Sequence, residues 1–207
     1  MKSLPEVLVG VLGLQGAVSE HVDALNRALS ELGLKGRVLT VKNPEQLERV
    51  RGLIIPGGES TTIGRLSARG LASKIREKAS QGMRILGTCA GMILLAKEVY
   101  DARIGRVNQP TLSLMDMEVV RNFFGRQRES FEVPLTLPIL GRELFPGVFI
   151  RAPIVEKVWG EAEPLATYNG KIVAVQQGRL LATSFHPELT EDLRLHKYFI
   201  KLILDTL

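Results

Sequence analysis

The chain has 207 residues, of which 45% are hydrophobic, 24% charged and 5% aromatic, and its formal net charge is +5. This composition excludes a disordered chain, and the apolar runs fall well short of the ~20 residues that a membrane-spanning helix needs. No run of five like charges occurs in the chain, so the charge pattern does not indicate nucleic-acid binding. The single cysteine excludes a disulfide framework and indicates a reducing compartment, so we expect a cytoplasmic protein.

The first half of the chain alternates between strand and helix patterns. An apolar run over Leu8–Leu14 predicts a parallel strand covered on both faces. Apolar residues then recur in steps of four and three up to Leu32, and Gly33 stands at a helix C-cap position, which predicts an amphipathic helix. The alternation continues with strand Arg37–Val41, a helix from Pro44 through Val50, strand Gly52–Ile55, helix Leu71–Ser80, strand Arg84–Thr88 and, after Cys89, a helix through Val99. This order indicates a doubly wound, mostly parallel α/β sheet with flanking helices.

The second half of the chain is predicted to be rich in strands. The candidates are Met117–Val120, Phe131–Leu137, Val148–Ile150, Leu165–Tyr168, Ile172–Gln176 and Leu180–Phe185. Asn169-Gly170 predicts a tight hairpin between two of them. A final helix is predicted over Thr190–Leu207. Because the sequence shows no linker, we expect residues 1–207 to form a single domain.

A nucleophile motif lies between the predicted strand Arg84–Thr88 and the helix that follows it. Gly87-Thr88-Cys89-Ala90-Gly91 has the G-x-nucleophile-x-G pattern of a sharp strand-to-helix turn, with cysteine as the nucleophile. Side chains at the flanking positions would collide with neighbouring elements, which explains the glycines. The turn would expose the sulfur at a helix N-terminus, where the dipole favours a thiolate.

A cysteine nucleophile needs a base, and the chain has only three histidines. His186 lies in an extended segment before Pro187, where residues two apart point the same way, so Glu188 is expected to orient its imidazole. His21 and His196 lie on predicted helices without a paired carboxylate pattern, so they are interpreted as surface or packing residues. No metal site is predicted from these residues.

Two glycine-containing loops, Gly13–Gly16 and Pro56–Ser60, follow predicted strands and are expected at the carboxyl edge of the sheet, where open α/β folds bind ligands. Their backbone N–H groups suit an oxyanion hole, although a glycine turn or a phosphate loop fits the spacing as well. Neither loop matches a nucleotide-binding pattern. The segment Arg121–Arg128 interleaves arginine with phenylalanine, and it is interpreted as a loop with a carboxylate-binding arginine rather than a base-stacking surface.

These features together resemble the class I glutamine amidotransferases, and more closely the glutaminase subunits of pyridoxal 5'-phosphate synthase. The matching motifs are GLQGA at Gly13–Ala17, PGGEST at Pro56–Thr61, GTCAG at Gly87–Gly91, RN at Arg121-Asn122, FGRQ at Phe124–Gln127, FIRAP at Phe149–Pro153 and SFHPELT at Ser184–Thr190. The resemblance implies a flavodoxin-like fold, L-glutamine as substrate, no cofactor, and a catalytic triad of Cys89, His186 and Glu188. Residues 101–114 match none of the motifs of this family.

The resemblance also implies roles for the loops. The substrate-binding residues would be Gly58, Glu59, Ser60, Arg121, Ile150 and Arg151, and the oxyanion region would comprise Gln15, Gly57 and Ala90. Hydrolysis of glutamine would release ammonia, and 207 residues leave no room for an acceptor domain, so the expected partner is the synthase subunit that builds pyridoxal phosphate. No nucleic acid or membrane partner is expected.

Three other hypotheses stay open on the sequence. The chain could serve another synthase, such as that of the imidazole glycerol phosphate branch, although Glu59-Ser60 and the FGRQ segment argue against this. A non-catalytic binding module of the same fold is disfavoured by the intact set of Cys89, His186 and Glu188. A basic RNA-binding protein would show salt-dependent binding.

Overall fold

The computed structural model of the protein describes residues 6–68, 70–124 and 130–205. The strands are β1 (Val7–Leu12), β2 (Gly36–Val41), β3 (Gly52–Ile55), β4 (Arg84–Thr88), β5 (Ala96–Asp101), β6 (Gly105–Arg106), β7 (Met115–Arg121), β8 (Phe131–Leu135), β9 (Phe145–Phe149), β10 (Ile154–Val158), β11 (Glu163–Tyr168), β12 (Lys171–Gln177) and β13 (Leu180–Thr183). The α-helices are α1 (Val18–Glu31), α2 (Pro44–Glu48), α3 (Ser60–Ser67), α4 (Leu71–Ser80), α5 (Ala90–Leu95) and α6 (Arg194–Leu204). Short 3-10 helices span Pro138–Leu140 and Pro187–Leu189.

A parallel block forms the centre of the main sheet, in the order β2-β1-β3-β4-β13. The carboxyl ends of these strands meet at one edge of the sheet. The strand order proceeds outward in opposite directions from β1 to β2 and from β1 to β3, and open α/β sheets bind ligands at such a switch point. Cys89 follows β4, and the His186 segment follows its parallel neighbour β13, with Thr88 opposite Thr183 in the register. The predicted doubly wound, mostly parallel sheet is confirmed.

Antiparallel strands extend this block on one side, in the order β13-β12-β10-β7, and β11 also pairs with β12. The β11–β12 hairpin turns at Asn169 and Gly170, whose φ angles of 48° and 73° match the left-handed conformations of a type I′ turn. A separate two-stranded ribbon pairs β8 with β9. The predicted strand-rich second half is therefore present.

The sheet is covered on both faces by apolar packing. On one face α1 and α6 pack through residues such as Leu25 and Phe199, which are fully buried. The opposite face carries the other helices, including Ile63 of α3 and Ile75 of α4. Within the described ranges no helix is long and apolar enough to cross a membrane.

Several predicted elements differ from the structure. The helix after Cys89 was predicted to run through Val99, but it ends at Leu95, because Ala96 turns extended and pairs with Met115 as the first residue of β5. Strands β10 and β5 and helix α3 were not predicted at all. In α3 the buried face consists mainly of small residues, with Ile63 the one large apolar side chain, so it lacks a helical hydrophobic pattern.

The last helix was predicted from Thr190, but it begins at Arg194. The preceding residues form the 3-10 turn Pro187–Leu189, and the Asp192 carboxylate then accepts a hydrogen bond from the backbone N–H of Arg194 at 3.0 Å. The predicted end at Leu207 and most of the FGRQ motif, residues 125–127, lie outside the described residues.

Candidate active site

The turn after β4 holds Cys89 in a strained backbone conformation, with φ 50° and ψ −101°. A Cβ atom on Gly87 would lie 2.6 Å from the backbone of Gly91, and one on Gly91 would lie 2.1 Å from the carbonyl oxygen of Ile55. Contacts this short between fixed backbone atoms cannot relax, so both positions require glycine. The geometry agrees with the sequence argument for a nucleophile turn that places a cysteine at a helix N-terminus.

His186 and Glu188 form a buried pair beside this turn. Their atoms Nδ1 and Oε1 lie 2.7 Å apart, and the backbone N–H of His186 donates to the carbonyl of Val148 at 2.8 Å. Burial lowers the pKa of His186, but hydrogen bonds with Cys89 and Glu188 outweigh it and raise the pKa to about 10. Since Nδ1 is used by Glu188, Nε2 is the ring nitrogen left for Cys89. The site therefore favours a charged imidazolium at His186.

Glu188 lies below His186 and away from the open cleft. Burial raises the pKa of this carboxyl, but the neighbouring His21 and the hydrogen bond with His186 together lower it below its usual range. A charged carboxylate in this position stabilises a charged imidazole at His186 and fixes the direction of its ring.

The two glycine-containing loops interlock above the nucleophile. The N–H of Ala17 donates to the carbonyl of Gly57 at 3.1 Å, and the side-chain oxygen of Gln15 accepts a hydrogen bond from the N–H of Glu59 at 2.7 Å. A Cβ on Gly16, whose φ is +106°, would lie 1.8 Å from the Gly57 carbonyl oxygen, so this close approach requires glycine. The side chain of Gln15 therefore links the two loops through its hydrogen bond with Glu59.

A cleft of about 580 Å³ opens over Cys89. It gathers ten residues that the sequence assigned to the site: Gln15, Gly58, Glu59, Ser60, Cys89, Ala90, Arg121, Ile150, Arg151 and His186. The other two assigned residues lie just behind the wall of the cleft. Gly57 lies against His186, and Glu188 lies beneath His186. Three further residues line the cleft without having been expected: Thr61, Ile93 and Asn122.

Arg121, at the end of β7, is held by a polar network. Its Nε donates to Asp101 at 2.8 Å, and its Nη1 donates to Gln109 at 2.9 Å. Asn122, in the left-handed region with φ 58°, donates to the same Asp101 oxygen at 2.9 Å. Gln109 in turn reaches the Ser60 hydroxyl at 3.2 Å. The segment for which the resemblance had no counterpart thus supplies two residues, Asp101 and Gln109, that orient the cleft's arginine and one of its loops.

Ile150 and Arg151 follow β9 and face the nucleophile from the opposite wall. The Sγ of Cys89 lies 4.0 Å from the carbonyl oxygen of Ile150. Arg151 adopts φ 48° and is exposed, and it forms no ion pair with any residue in the described ranges. Its guanidinium is therefore available to an anionic ligand, whereas that of Arg121 is already partly engaged by protein groups.

Of the two predicted roles for His21 and His196, surface or packing, burial rules out the first, because both side chains are fully buried. The Nε2 of His21 lies 3.1 Å from the Thr88 hydroxyl and 3.3 Å from Oε2 of Glu188. Its Nδ1 lies 3.1 Å from Nε2 of His196. Sequence spacing carries no signal for this contact, because His21 and His196 are 175 positions apart and meet only where α1 packs on α6. Among the described residues, no cluster of acidic, histidine or cysteine side chains could hold a metal ion.

A mostly parallel sheet, with a cysteine at a strand-to-helix turn and a histidine–carboxylate pair in the segment after the neighbouring strand, is the arrangement of the glutamine amidotransferases. A solved glutamine amidotransferase structure agrees, with 46% identity, a TM-score of 0.81, and coverage of 94% of this chain and 98% of the other. Residues 11–205 match the model of the SNO glutamine amidotransferase family, and the chain belongs to that family.

Relatives at high identity carry a more specific name. The protein called pyridoxal 5'-phosphate synthase subunit PdxT in Staphylothermus marinus is 50% identical, over 95% of this chain and 98% of the relative. The protein of the same name in Moorella thermoacetica is 51% identical, over 94% and 98%. A glutamine amidotransferase from Thermotoga maritima shares the fold alone, with 13% identity, a TM-score of 0.65 and 98% coverage of both chains.

Proposed function

We propose that this chain hydrolyses L-glutamine to glutamate and ammonia and supplies the ammonia to a synthase subunit that forms pyridoxal 5'-phosphate in the cytoplasm. The observation that carries the proposal is the single cleft in which Cys89, the His186–Glu188 pair and two arginines converge. The name shared by the relatives supports the choice of pathway. Residues 1–207 act in this proposal as one amidotransferase domain.

The reaction follows from the chemistry of the triad. The Cys89 thiolate attacks the side-chain carbonyl carbon of glutamine, and the new C–S bond gives a tetrahedral oxyanion. Collapse breaks the C–N bond while His186, held as an imidazolium, gives its proton to the departing nitrogen and releases ammonia. The neutral His186 then takes a proton from water, whose oxygen attacks the thioester and displaces Cys89 as glutamate forms. Glu188 keeps the ring oriented and stabilises its charged form.

The loops bind the substrate around this centre. Arg121 or Arg151 would hold the α-carboxylate, because a guanidinium binds a carboxylate through two parallel hydrogen bonds. Gly58, Glu59, Ser60 and Ile150 would complete the pocket through backbone and side-chain polar groups. The oxyanion would be stabilised by backbone N–H groups near Gly57 and by that of Ala90, which starts α5 and has no partner within that helix. Gln15 would control the loop geometry through its bond to Glu59.

Ammonia is useful to an acceptor only as the neutral base, and bulk water would protonate it. We therefore infer direct transfer to the partner subunit. A glutaminase working alone would waste glutamine, so activity should be low in the isolated chain and rise when the partner reorganises the loops around Gln15 and Gly57.

The test measures glutamate release by the chain with and without the synthase partner. We expect stimulation by the pyridoxal phosphate synthase subunit and none by the cyclase partner of the imidazole glycerol phosphate branch. In the assembled complex, Cys89→Ala should abolish pyridoxal phosphate formation from glutamine but not from added ammonium salt. Full activity of the chain alone, or failure of ammonium to rescue an assembled complex, would contradict ammonia transfer. Absence of any glutamate release would instead favour a binding module.

A further inference from the structure

Beneath the triad lies a pair of buried histidines that the reaction above does not use. His21 of α1 and His196 of α6 are both fully buried. The Nε2 of His21 approaches Oε2 of Glu188 at 3.3 Å and the Thr88 hydroxyl at 3.1 Å. It therefore touches the residue that precedes the nucleophile as well as the carboxylate that ends the triad. Within the described part of the chain, the hydrogen bond of His21 Nε2 goes to the Thr88 hydroxyl, and Oε2 of Glu188 has no hydrogen bond of its own. The contact between Nε2 and Oε2 is therefore an electrostatic one at 3.3 Å.

The charge state of the pair follows from burial. Burial lowers the pKa of His21, against an opposing effect of Glu188, and lowers the pKa of His196 to about 3. Both rings are therefore neutral near pH 7, and each carries one N–H. The negative Glu188 favours the proton of His21 on Nε2, the nitrogen that faces it. The Nδ1 of His21 is then an acceptor.

The second histidine is consistent with this tautomer. Its Nε2 lies 3.1 Å from Nδ1 of His21, and that contact needs one donor and one acceptor. Because Nδ1 of His21 accepts, Nε2 of His196 must carry the proton. The other nitrogen of His196, Nδ1, is then a bare lone pair, and it is the ring atom that is buried without a partner among the described residues. The reverse arrangement would bury an unpaired N–H there and aim a lone pair at the carboxylate.

We propose that His21 is a positioning residue of the glutaminase reaction: its Nε2–H restrains Oε2 of Glu188, so that Oε1 stays on His186, and His196 fixes the required tautomer of His21. The proposal rests on the proposed function and adds to it a second imidazole, that of His21, which acts through Glu188. Two polar rings at a helix–helix contact cost free energy relative to apolar side chains unless they are hydrogen-bonded, which argues against a packing role alone.

The consequence for the nucleophile can be worked out from the groups that surround Glu188. These are His21 with Glu20 nearby on α1, His186 on the segment after β13, Cys89 at the turn after β4, and His196 on α6. Loss of the His21 donor removes an interaction that favours the carboxylate. A less charged or displaced Glu188 stabilises the His186 imidazolium less, so the Cys89 thiolate forms at higher pH.

The first experiment uses the fact that Cys89 is the only cysteine. The rate of its alkylation by iodoacetamide as a function of pH reports thiolate formation and needs neither glutamine nor a partner. We expect His21→Leu to move the midpoint upward by about one pH unit, which lowers the rate about tenfold at a fixed pH below the midpoint. His21→Gln, whose amide can place an N–H near the same oxygen, should recover most of the shift. Leu25→Ala, one turn along the same buried face, should leave the midpoint unchanged despite lower stability.

A His21→Leu midpoint equal to that of Leu25→Ala would overturn the proposal. A second measurement needs no variant: a long-range 15N–1H spectrum of the histidine-labelled wild-type chain should show His21 as the Nε2–H tautomer. An Nδ1–H tautomer, or a charged ring at pH 7, would also overturn it. In the complex with the synthase partner, His21→Leu should lower kcat about tenfold with the KM for glutamine unchanged, whereas a change in KM alone would contradict a positioning role. If the wild-type complex releases no glutamate, the proposed function fails, but the alkylation and tautomer results still decide the role of His21.

Discussion

Gly57 offers a direct test of how closely the loops must fit the triad. A Cβ atom at this position would lie 2.4 Å from Cε1 and 3.1 Å from Nδ1 of His186, and 3.3 Å from Cβ of Cys89. Ordinary contact begins at 3.4 Å, so in Gly57→Ala the imidazole must move by about 1 Å. Alanine keeps the backbone N–H, and the backbone at Gly57 is not left-handed. The perturbation therefore acts through His186.

A misplacement of about 1 Å at a catalytic group can cost on the order of 100-fold in rate, so kcat for glutamine hydrolysis in the complex should fall by about that factor. Crowding should also lower the free energy of unfolding by about 1–3 kcal/mol. The matched control is Gly52→Ala at the other end of β3, where the added Cβ meets Cδ1 of Ile203 at the same 2.4 Å. It should show a similar loss of stability by thermal unfolding with kcat unchanged. Wild-type kcat in Gly57→Ala, or equal losses in both variants, would refute the reasoning.

Three further predictions concern the nucleophile, the arginines and pH. Cys89→Ala should abolish glutamate release with a change in unfolding free energy of no more than about 1 kcal/mol, and near-wild-type activity would refute the assignment of the nucleophile. The lysine variant of the carboxylate-binding arginine should raise the KM for glutamine about tenfold, because an ammonium group does not replace the two parallel N–H groups of a guanidinium. Wild-type kinetics in both Arg121→Lys and Arg151→Lys would show that the carboxylate is held elsewhere. The pKa of His186 rises from 6.5 to about 10 on folding, so its contribution to stability is complete below pH 6.5 and is lost as pH rises to about 10. The difference in unfolding free energy between wild type and His186→Asn should shrink over that interval, and a constant or growing difference would contradict the raised pKa of His186.

Much of the fold could be predicted because its signals are local. The strands of the parallel block are continuous apolar runs, and the Asn169-Gly170 turn requires left-handed backbone at both residues. The helix after Cys89 shows where such signals end. Met92, Leu95 and Val99 fit one helical pattern, yet the chain becomes extended at Ala96, because strand pairing with β7 outweighs local propensity.

The geometry of the turn around Cys89 follows from the sequence alone, since glycines two residues on either side of the cysteine encode a turn that only small residues allow. The His186-Pro187-Glu188 segment likewise carries its pairing within three residues, and its two side chains meet at 2.7 Å. Only the tertiary structure decided what lies around these motifs. The contacts of Arg121 with Gln109 and of His21 with His196 join residues from separate elements, and the second pair is 175 positions apart. No periodicity or spacing encodes such contacts. The first exists only once β7 and the loop that carries Gln109 lie together, and the second only once α1 and α6 pack side by side and bury His21 against Glu188.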